Sequence, residues 1–173
     1  MLFGDLIEDI DFHRFLNFHE TKSFLITLLA IHLINKSRYL AICITNQPVI
    51  ARGEVTFVEL DDIHHKMETL LGQKEAYLDD LFFCPHHPDK GYAGEVKELK
   101  IDCDCRKPKI GMLIKAQDKY NINIKESWFI GDSNNDVQTG INSGCQTVYI
   151  GTNPSGLFAK PNYIYMSKFI GSR

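Results

Sequence analysis

Three cysteines and a histidine in this sequence are spaced as metal ligands are spaced. Cys84-x-His86 is followed, after sixteen residues, by Cys103-x-Cys105. Three thiolates and one imidazole form a tetrahedral set that suits Zn²⁺, and a Cys3His set fills all four positions. No position is left for a reacting water, so such a site is structural. Its role would be to staple the polar loop 85–102, which holds too few apolar residues to fold alone. His87 is an alternative to His86, but His86 repeats the one-residue gap of the Cys103/Cys105 pair. The competing interpretation, unrelated core cysteines and surface histidines, sits poorly with two tight pairs flanking one hydrophilic loop. Cys43 and Cys145 have no such pattern and read as small buried hydrophobes.

A second group of residues is suited to phosphate. Arg106-Lys107-Pro108 follows the last cysteine directly. Arg offers a bidentate fork and Lys a point charge, and both recognise phosphate oxygens. A solvated basic turn is the plainer interpretation, and the adjoining metal clip argues against it. Asp132, after Gly131, is a candidate ligand for Mg²⁺, which prefers hard oxygen and keeps waters and substrate phosphate as its remaining ligands. Asp136 either supports the same site or caps the next helix. Thr45 and Asn46 can donate to phosphate oxygens.

These residues need a scaffold, and the apolar pattern supplies one. Strand-like and helix-like segments alternate, which predicts an α/β fold with a parallel sheet and flanking helices. Helices are expected at 21–36, with Phe24, Leu25, Leu28, Leu29 and Ile31 on its apolar face, and after the capping box Thr56-Phe-Val-Glu59. The second helix should bury Leu60, Ile63, Met67, Leu70 and Leu71 and stop at Gly72. Further helices are expected at 111–120, burying Leu113, Ile114 and Ala116, and at 135–143, closed by Gly144. Strands are expected at 39–44, 81–84, 127–130 and 147–150, with an edge strand at 162–165. Thr45-Asn46 and Gly131-Asp132 then fall just past two strand ends, where open parallel sheets gather their ligand sites.

The bulk numbers exclude several classes. The chain has 173 residues, 44% hydrophobic and 24% charged, with a net charge of −3. That fits one ordered domain across 1–173, with 84–105 as a metal-binding loop, and gives no broad basic surface for nucleic acid. The apolar run 23–33 is too short to span a bilayer. Five cysteines, an odd number, make a poor disulfide framework and point to a reducing cytoplasm.

The ordered set Thr45-Asn46-Gln47, Ala51-Arg52-Gly53, Cys84-Pro-His-His-Pro88, Cys103-Asp-Cys-Arg-Lys-Pro108 and Gly131-Asp132…Asp136 resembles the D-glycero-D-manno-heptose 1,7-bisphosphate phosphatases. These are haloacid dehalogenase (HAD) enzymes close to the histidinol-phosphate phosphatases. The resemblance runs from about residue 10 to 151 and implies a Rossmann-like fold. It also implies Mg²⁺-dependent removal of the 7-phosphate of a heptose bisphosphate through an aspartyl-phosphate. By the same resemblance Thr45 and Lys107 contact the transferring phosphoryl group. Asn46, Gln47 and Arg52 line the substrate pocket, and Arg106 binds the sugar or its distal phosphate. Asp132 would hold the Mg²⁺. Ser133 stands at a substrate-contacting position where the heptose enzymes often carry Lys.

The N-terminus departs from the family. Members begin with an apolar strand ending in Asp-x-Asp-x-Thr, whereas this chain offers Asp9-Ile-Asp11 with His13 in place of the Thr. No proper strand precedes that pair, and about thirty residues separate it from Thr45. The expectation is that Asp9 and Asp11 are a decoy. The central strand and nucleophile would then lie upstream of Met1, leaving this chain N-terminally incomplete. Loss of a central strand should weaken stability or promote self-association, and thermal melting and sedimentation beside an upstream-extended chain would show it. Two other functional readings are a histidinol-phosphate phosphatase and a non-catalytic remnant that binds a sugar phosphate. A fused upstream nucleotidyltransferase domain is a further organisation the residues leave open.

Overall fold

A computed structural model describes residues 2–3, 22–151 and 153–166. Among these, six parallel strands form one sheet in the order β3-β2-β1-β4-β5-β6. They are β1 Leu2–Phe3, β2 Ile42–Asn46, β3 Asp80–Cys84, β4 Trp128–Gly131, β5 Gln146–Gly151 and β6 Tyr163–Met166. Four α-helices accompany them: α1 Lys22–Asn35, α2 Phe57–Gly72, α3 Gly111–Tyr120 and α4 Asn134–Ser143. The α/β expectation holds.

The sheet is covered on both faces, as a parallel sheet requires. Ile42 and Ile44 point to one face and join Met112, Leu113, Ala116 and Phe129 in one core cluster, with Cys84 and Cys145 beside them. Ala41, on the opposite phase of the pleat, packs with Leu28, Ile31, Ile34, Met67 and Leu71. Thus α3 closes one face while α1 and α2 close the other. Cys43 and Cys145 are both buried, as a small-hydrophobe reading requires.

Several expectations about individual side chains need correction. Leu29 is 58% exposed and Ile114 is 46% exposed, so neither is core. Each lies just beside the buried stripe of its helix, where one residue of rotation turns a side chain by about 100°. Ile34 and Met112 take the inward positions instead. Ile63 and Leu70 are half-buried, and His64 occupies the buried position between Leu60 and Met67. Phe24 and Leu25 lie in α1, and their side chains fall outside the described residues. Helix α2 opens as expected: Thr56 Oγ1 accepts from the Glu59 amide at 3.2 Å, and the Glu59 carboxylate accepts from the Thr56 amide at 2.8 Å.

The centre of the sheet differs from expectation. Leu2–Phe3 pairs with Ile42–Cys43 on one side and with Phe129–Ile130 on the other. The slot expected to be empty is therefore bridged by residues of this chain. The physical reason is that β2 and β4 would otherwise carry unpaired inner edges. Asp9, Asp11 and His13 lie outside the described residues. No helix in the described part is long and apolar enough to cross a membrane.

Candidate active site and metal centre

Strand β2 ends in polar residues that the fold nonetheless buries. Thr45, Asn46 and Gln47 are all buried at its carboxyl end. The Gln47 amide donates to the Cys84 carbonyl at 2.7 Å, which ties the tip of β2 to the tip of β3. Gln47 Nε2 donates to Thr45 Oγ1 at 3.2 Å, fixing the hydroxyl. Asn46 turns the other way. Its Oδ1 accepts from the Lys107 amide at 3.0 Å, and its Nδ2 donates to the Lys107 carbonyl at 3.4 Å. The Asn46 side chain thus grips the Lys107 main chain.

Lys107 joins the end of β2 to the helix that follows β4. Its side chain is fully buried, and Nζ donates to the Ile44 carbonyl of β2 at 3.1 Å and to Asp136 Oδ1 at 2.7 Å. Asp136 sits in the first turn of α4, just past the tip of β4. Lys107 thus connects β2 to the first turn of α4, the helix that follows β4. A buried ammonium held by one carboxylate and one carbonyl is an oriented positive charge beside the crevice between β2 and β4.

Asp136 takes the capping role weighed for it. Its Oδ2 accepts from the Ser133 hydroxyl at 2.8 Å and from the Ser133 amide at 3.2 Å. Ser133 Oγ in turn accepts from the Asp136 amide, completing a capping box. Both carboxylate oxygens therefore have protein partners, which argues against Asp136 as an inner-sphere metal ligand. The Ser133 hydroxyl takes part in the same cap. Asp132 is exposed just past the end of β4.

Gly131 makes this arrangement possible. A Cβ there would stand 2.3 Å from Asp136 Cβ and 2.6 Å from its Oδ2. Gly131→Ala is expected to push Asp136 off Lys107 and to cost about 1–3 kcal/mol as an overpacked core does. Urea unfolding of the variant beside the parent checks it.

The four metal-ligand candidates converge. Cys105 Sγ lies 3.0 Å from Cys84 Sγ, 3.1 Å from Cys103 Sγ and 3.2 Å from His86 Nδ1. Cys84 and Cys103 sulfurs are 3.5 Å apart. All four donor atoms lie within 4.8 Å of one another, so the set could hold a metal ion. Sulfurs about a tetrahedral zinc at 2.3 Å stand roughly 3.8 Å apart, wider than the spacing here, so the cluster would open slightly around a metal. Burial, and then the Lys115 charge, hold His86 below the usual histidine range, in the neutral form that ligates metals. His86, not His87, belongs to the converging set, and His87 Nδ1 instead accepts from the Asp89 amide at 3.2 Å.

The clip leads directly into Arg106-Lys107-Pro108. Gly111, at the start of α3, donates to the Asp104 carbonyl at 3.0 Å, and a Cβ there would stand 2.5 Å from that oxygen. Helix α3 is thus seated on the cysteine turn, with residues 106–110 held between them. Arg106 Nη1 donates to the His86 carbonyl at 3.3 Å. Arg52 lies over the Tyr92 ring, 5.3 Å from its centroid.

Two features escaped the sequence. The Lys107–Asp136 pair could have been found, because Ser133-x-x-Asp136 after Gly131 is a capping signature that also buries its carboxylate. The burial of Lys100 carried no sequence signal, since an isolated lysine in a polar loop reads as solvated.

A doubly covered parallel sheet with a buried lysine–aspartate pair at its carboxyl end defines a Rossmann-like α/β domain. The comparisons narrow that class. Residues 104–162 match the HAD-hydrolase-like family model. D-glycero-beta-D-manno-heptose-1,7-bisphosphate 7-phosphatase of Salmonella typhi is 37% identical over 109 residues, which are 63% of this chain and 56% of the relative. The alpha counterpart of Photorhabdus laumondii is 36% identical over 138 residues, 80% of this chain and 72% of the relative. Among solved structures, D,D-heptose 1,7-bisphosphate phosphatase from B. bronchiseptica, complexed with magnesium and phosphate, superposes with a TM-score of 0.61 at 32% identity. That match covers 71% of this chain and 63% of that one. The chain belongs to the D-glycero-D-manno-heptose-1,7-bisphosphate 7-phosphatase family of HAD-like hydrolases. It spans about half the length of the Salmonella relative.

Proposed function

We propose that the protein hydrolyses a phosphomonoester of a heptose 1,7-bisphosphate, releasing the 7-phosphate, with Mg²⁺ and an aspartyl-phosphate intermediate. The observation that carries this reading is Lys107, fully buried and aimed by Asp136 and the Ile44 carbonyl at the junction of two strand tips. A charge fixed there before substrate arrives needs no reorganisation when negative charge develops on phosphoryl oxygens. Thr45, held by Gln47, donates to the same group. Asp132 would hold the Mg²⁺, which neutralises phosphate charge when bound. Asn46 and Asp136 act by positioning Lys107.

The nucleophilic aspartate of this reading belongs at the carboxyl end of the central strand, after Leu2–Phe3, where the chain lies outside the described residues. The Cys84, His86, Cys103 and Cys105 cluster is read as a zinc brace, with all four positions filled by protein. The small-molecule partner is a sugar phosphate, and the reduced thiols of that cluster favour the cytoplasm. Phosphate release from heptose 1,7-bisphosphate, followed by ³¹P NMR with and without Mg²⁺, tests the activity. Loss of the C7 phosphate signal in the presence of Mg²⁺, faster than release from histidinol phosphate, is expected. Release from neither compound would defeat the reading.

A further inference from the structure

We propose that Cys84 and Cys105 form a peroxide-sensitive pair, oxidised to a disulfide that expels the metal and closes the base of loop 85–102 in its place. The metal part of this proposal rests on the zinc reading given above, while the pairing stands on the sulfur geometry.

Cys105 Sγ stands 3.0 Å from Cys84 Sγ, the shortest sulfur separation in the cluster. A disulfide needs about 2.05 Å, so a shift of about 1 Å joins the two. The residues are placed unequally. Cys84 ends β3, is fully buried, and its carbonyl accepts from the Gln47 amide. Cys105 is half-buried and sits in the irregular turn that precedes α3. The more accessible thiol is the one an oxidant reaches first, and the buried one is held ready for the second step. Cys103 competes poorly. Its sulfur lies 3.5 Å from that of Cys84. It lies 3.1 Å from Cys105, but that bridge would span a single residue. Fitting a dihedral of about 90° into so small a ring stores strain and leaves the bond easily reduced. Cys43 and Cys145 are buried and lie outside the cluster.

The oxidant is hydrogen peroxide or another hydroperoxide, which reacts with ionised thiols, and a thiolate on a metal is ionised already. The Cys105 sulfur attacks one peroxide oxygen. The O–O bond breaks, the sulfur becomes a sulfenic acid, and the departing oxygen takes up a proton and leaves as water. The Cys84 sulfur then attacks the Cys105 sulfur. The S–S bond forms, the S–O bond breaks, and the second oxygen takes up a proton and leaves as water. Two thiolates, one hydrogen peroxide and two protons thus become one disulfide and two waters, with two electrons passing from sulfur to oxygen. The thiolate is the metal ligand, so this step removes two of the four positions at once. The new bond still links the end of β3 to the turn before α3. It therefore ties both ends of loop 85–102, as the metal does.

Two measurements on the full protein test this. In the first, zinc-loaded protein is treated with hydrogen peroxide. A chromogenic chelator reads the zinc released, and digestion with mass spectrometry locates the linkage. Zinc release together with a Cys84–Cys105 cross-link, with Cys43 and Cys145 still free thiols, is expected, and dithiothreitol should reverse the cross-link. A Cys103–Cys105 bridge as the main product, or release with sulfinic acids and no cross-link, overturns the assignment. In the second, chelated protein is oxidised with diamide, which needs no metal. The cross-link should form and raise the melting temperature by about 5 °C or more over the reduced, chelated protein, because a loop has been closed. No rise overturns the bracing role. Cys103→Ser should still give the Cys84–Cys105 cross-link and Cys105→Ser should give none. The reverse pattern overturns the pair. If the protein binds no zinc and the cross-link forms, the zinc reading fails and the oxidisable pair stands.

Discussion

Removing the metal from the cysteine–histidine cluster is expected to lower the melting temperature by about 10 °C. A structural zinc site contributes several kcal/mol to folding, and each kcal/mol moves Tm by roughly 2–4 °C in a domain of this size. The loop from Pro85 to Asp102 has no α-helix or strand of its own, only the short 3₁₀ turn Lys97–Leu99. Its attachment depends on the four ligands and on the contacts next to them. Cys105 is the member nearest all the others, within 3.2 Å of Cys84, Cys103 and His86. Cys105→Ser should therefore lose zinc and melt where the chelated parent melts. Metal analysis alongside differential scanning calorimetry checks both.

The metal-free protein should also carry a signature in pH. Burial, then the neighbouring Cys105 thiol, push the Cys84 thiol above its ordinary value of 9.0. Above that pH the unfolded chain loses this proton before the folded chain does. Raising pH past about 9 therefore favours unfolding of the metal-free protein. The loaded protein, with its thiolates already ionised on the metal, should lack this loss. Parallel melts at pH 8 and pH 10 would show the difference, and equal losses would remove the explanation.

Breaking the buried ion pair should have an effect of similar size. Lys107 and Asp136 side chains are both fully buried. Removing one member leaves a charge in the interior, a change that costs about 3–5 kcal/mol, whereas replacing both by apolar groups is often near neutral. Lys107→Met and Asp136→Leu alone should each destabilise by that amount. The double variant should be more stable than the sum of the two losses implies. Phosphatase activity should not return with stability, because the oriented ammonium is gone. Recovery of both would mean that Lys107 is a structural residue only.

Much of this architecture was legible because it depends on local patterns. The capping box at Thr56, the stop at Gly72 and the bounds of α3 follow from side-chain chemistry within one turn. The metal cluster was legible for the same reason: a one-residue gap on each side of a polar loop has few other uses. Resemblance found Lys107 but not its setting, since Asp136 reaches it from 29 residues away and only because Gly131 has no side chain. Asn46 and Ser133 also bond within the fold, to the Lys107 main chain and to Asp136, pairings that the sequence pattern does not show. Leu29 and Ile114 were misplaced because an apolar residue at the margin of a helix stripe is indistinguishable from one inside it. The central pairing of Leu2–Phe3 was missed because two residues carry no periodicity to read.

The central claim is a division of labour: the metal clip braces the fold and the strand-tip pocket does the chemistry. Zinc X-ray absorption on the loaded protein tests it most directly. Three sulfurs at about 2.3 Å and one nitrogen at about 2.0–2.1 Å, unchanged when phosphate or sugar phosphate is added, are predicted. An oxygen ligand, or a first shell that changes when phosphate is added, would contradict it and make the metal part of the reaction.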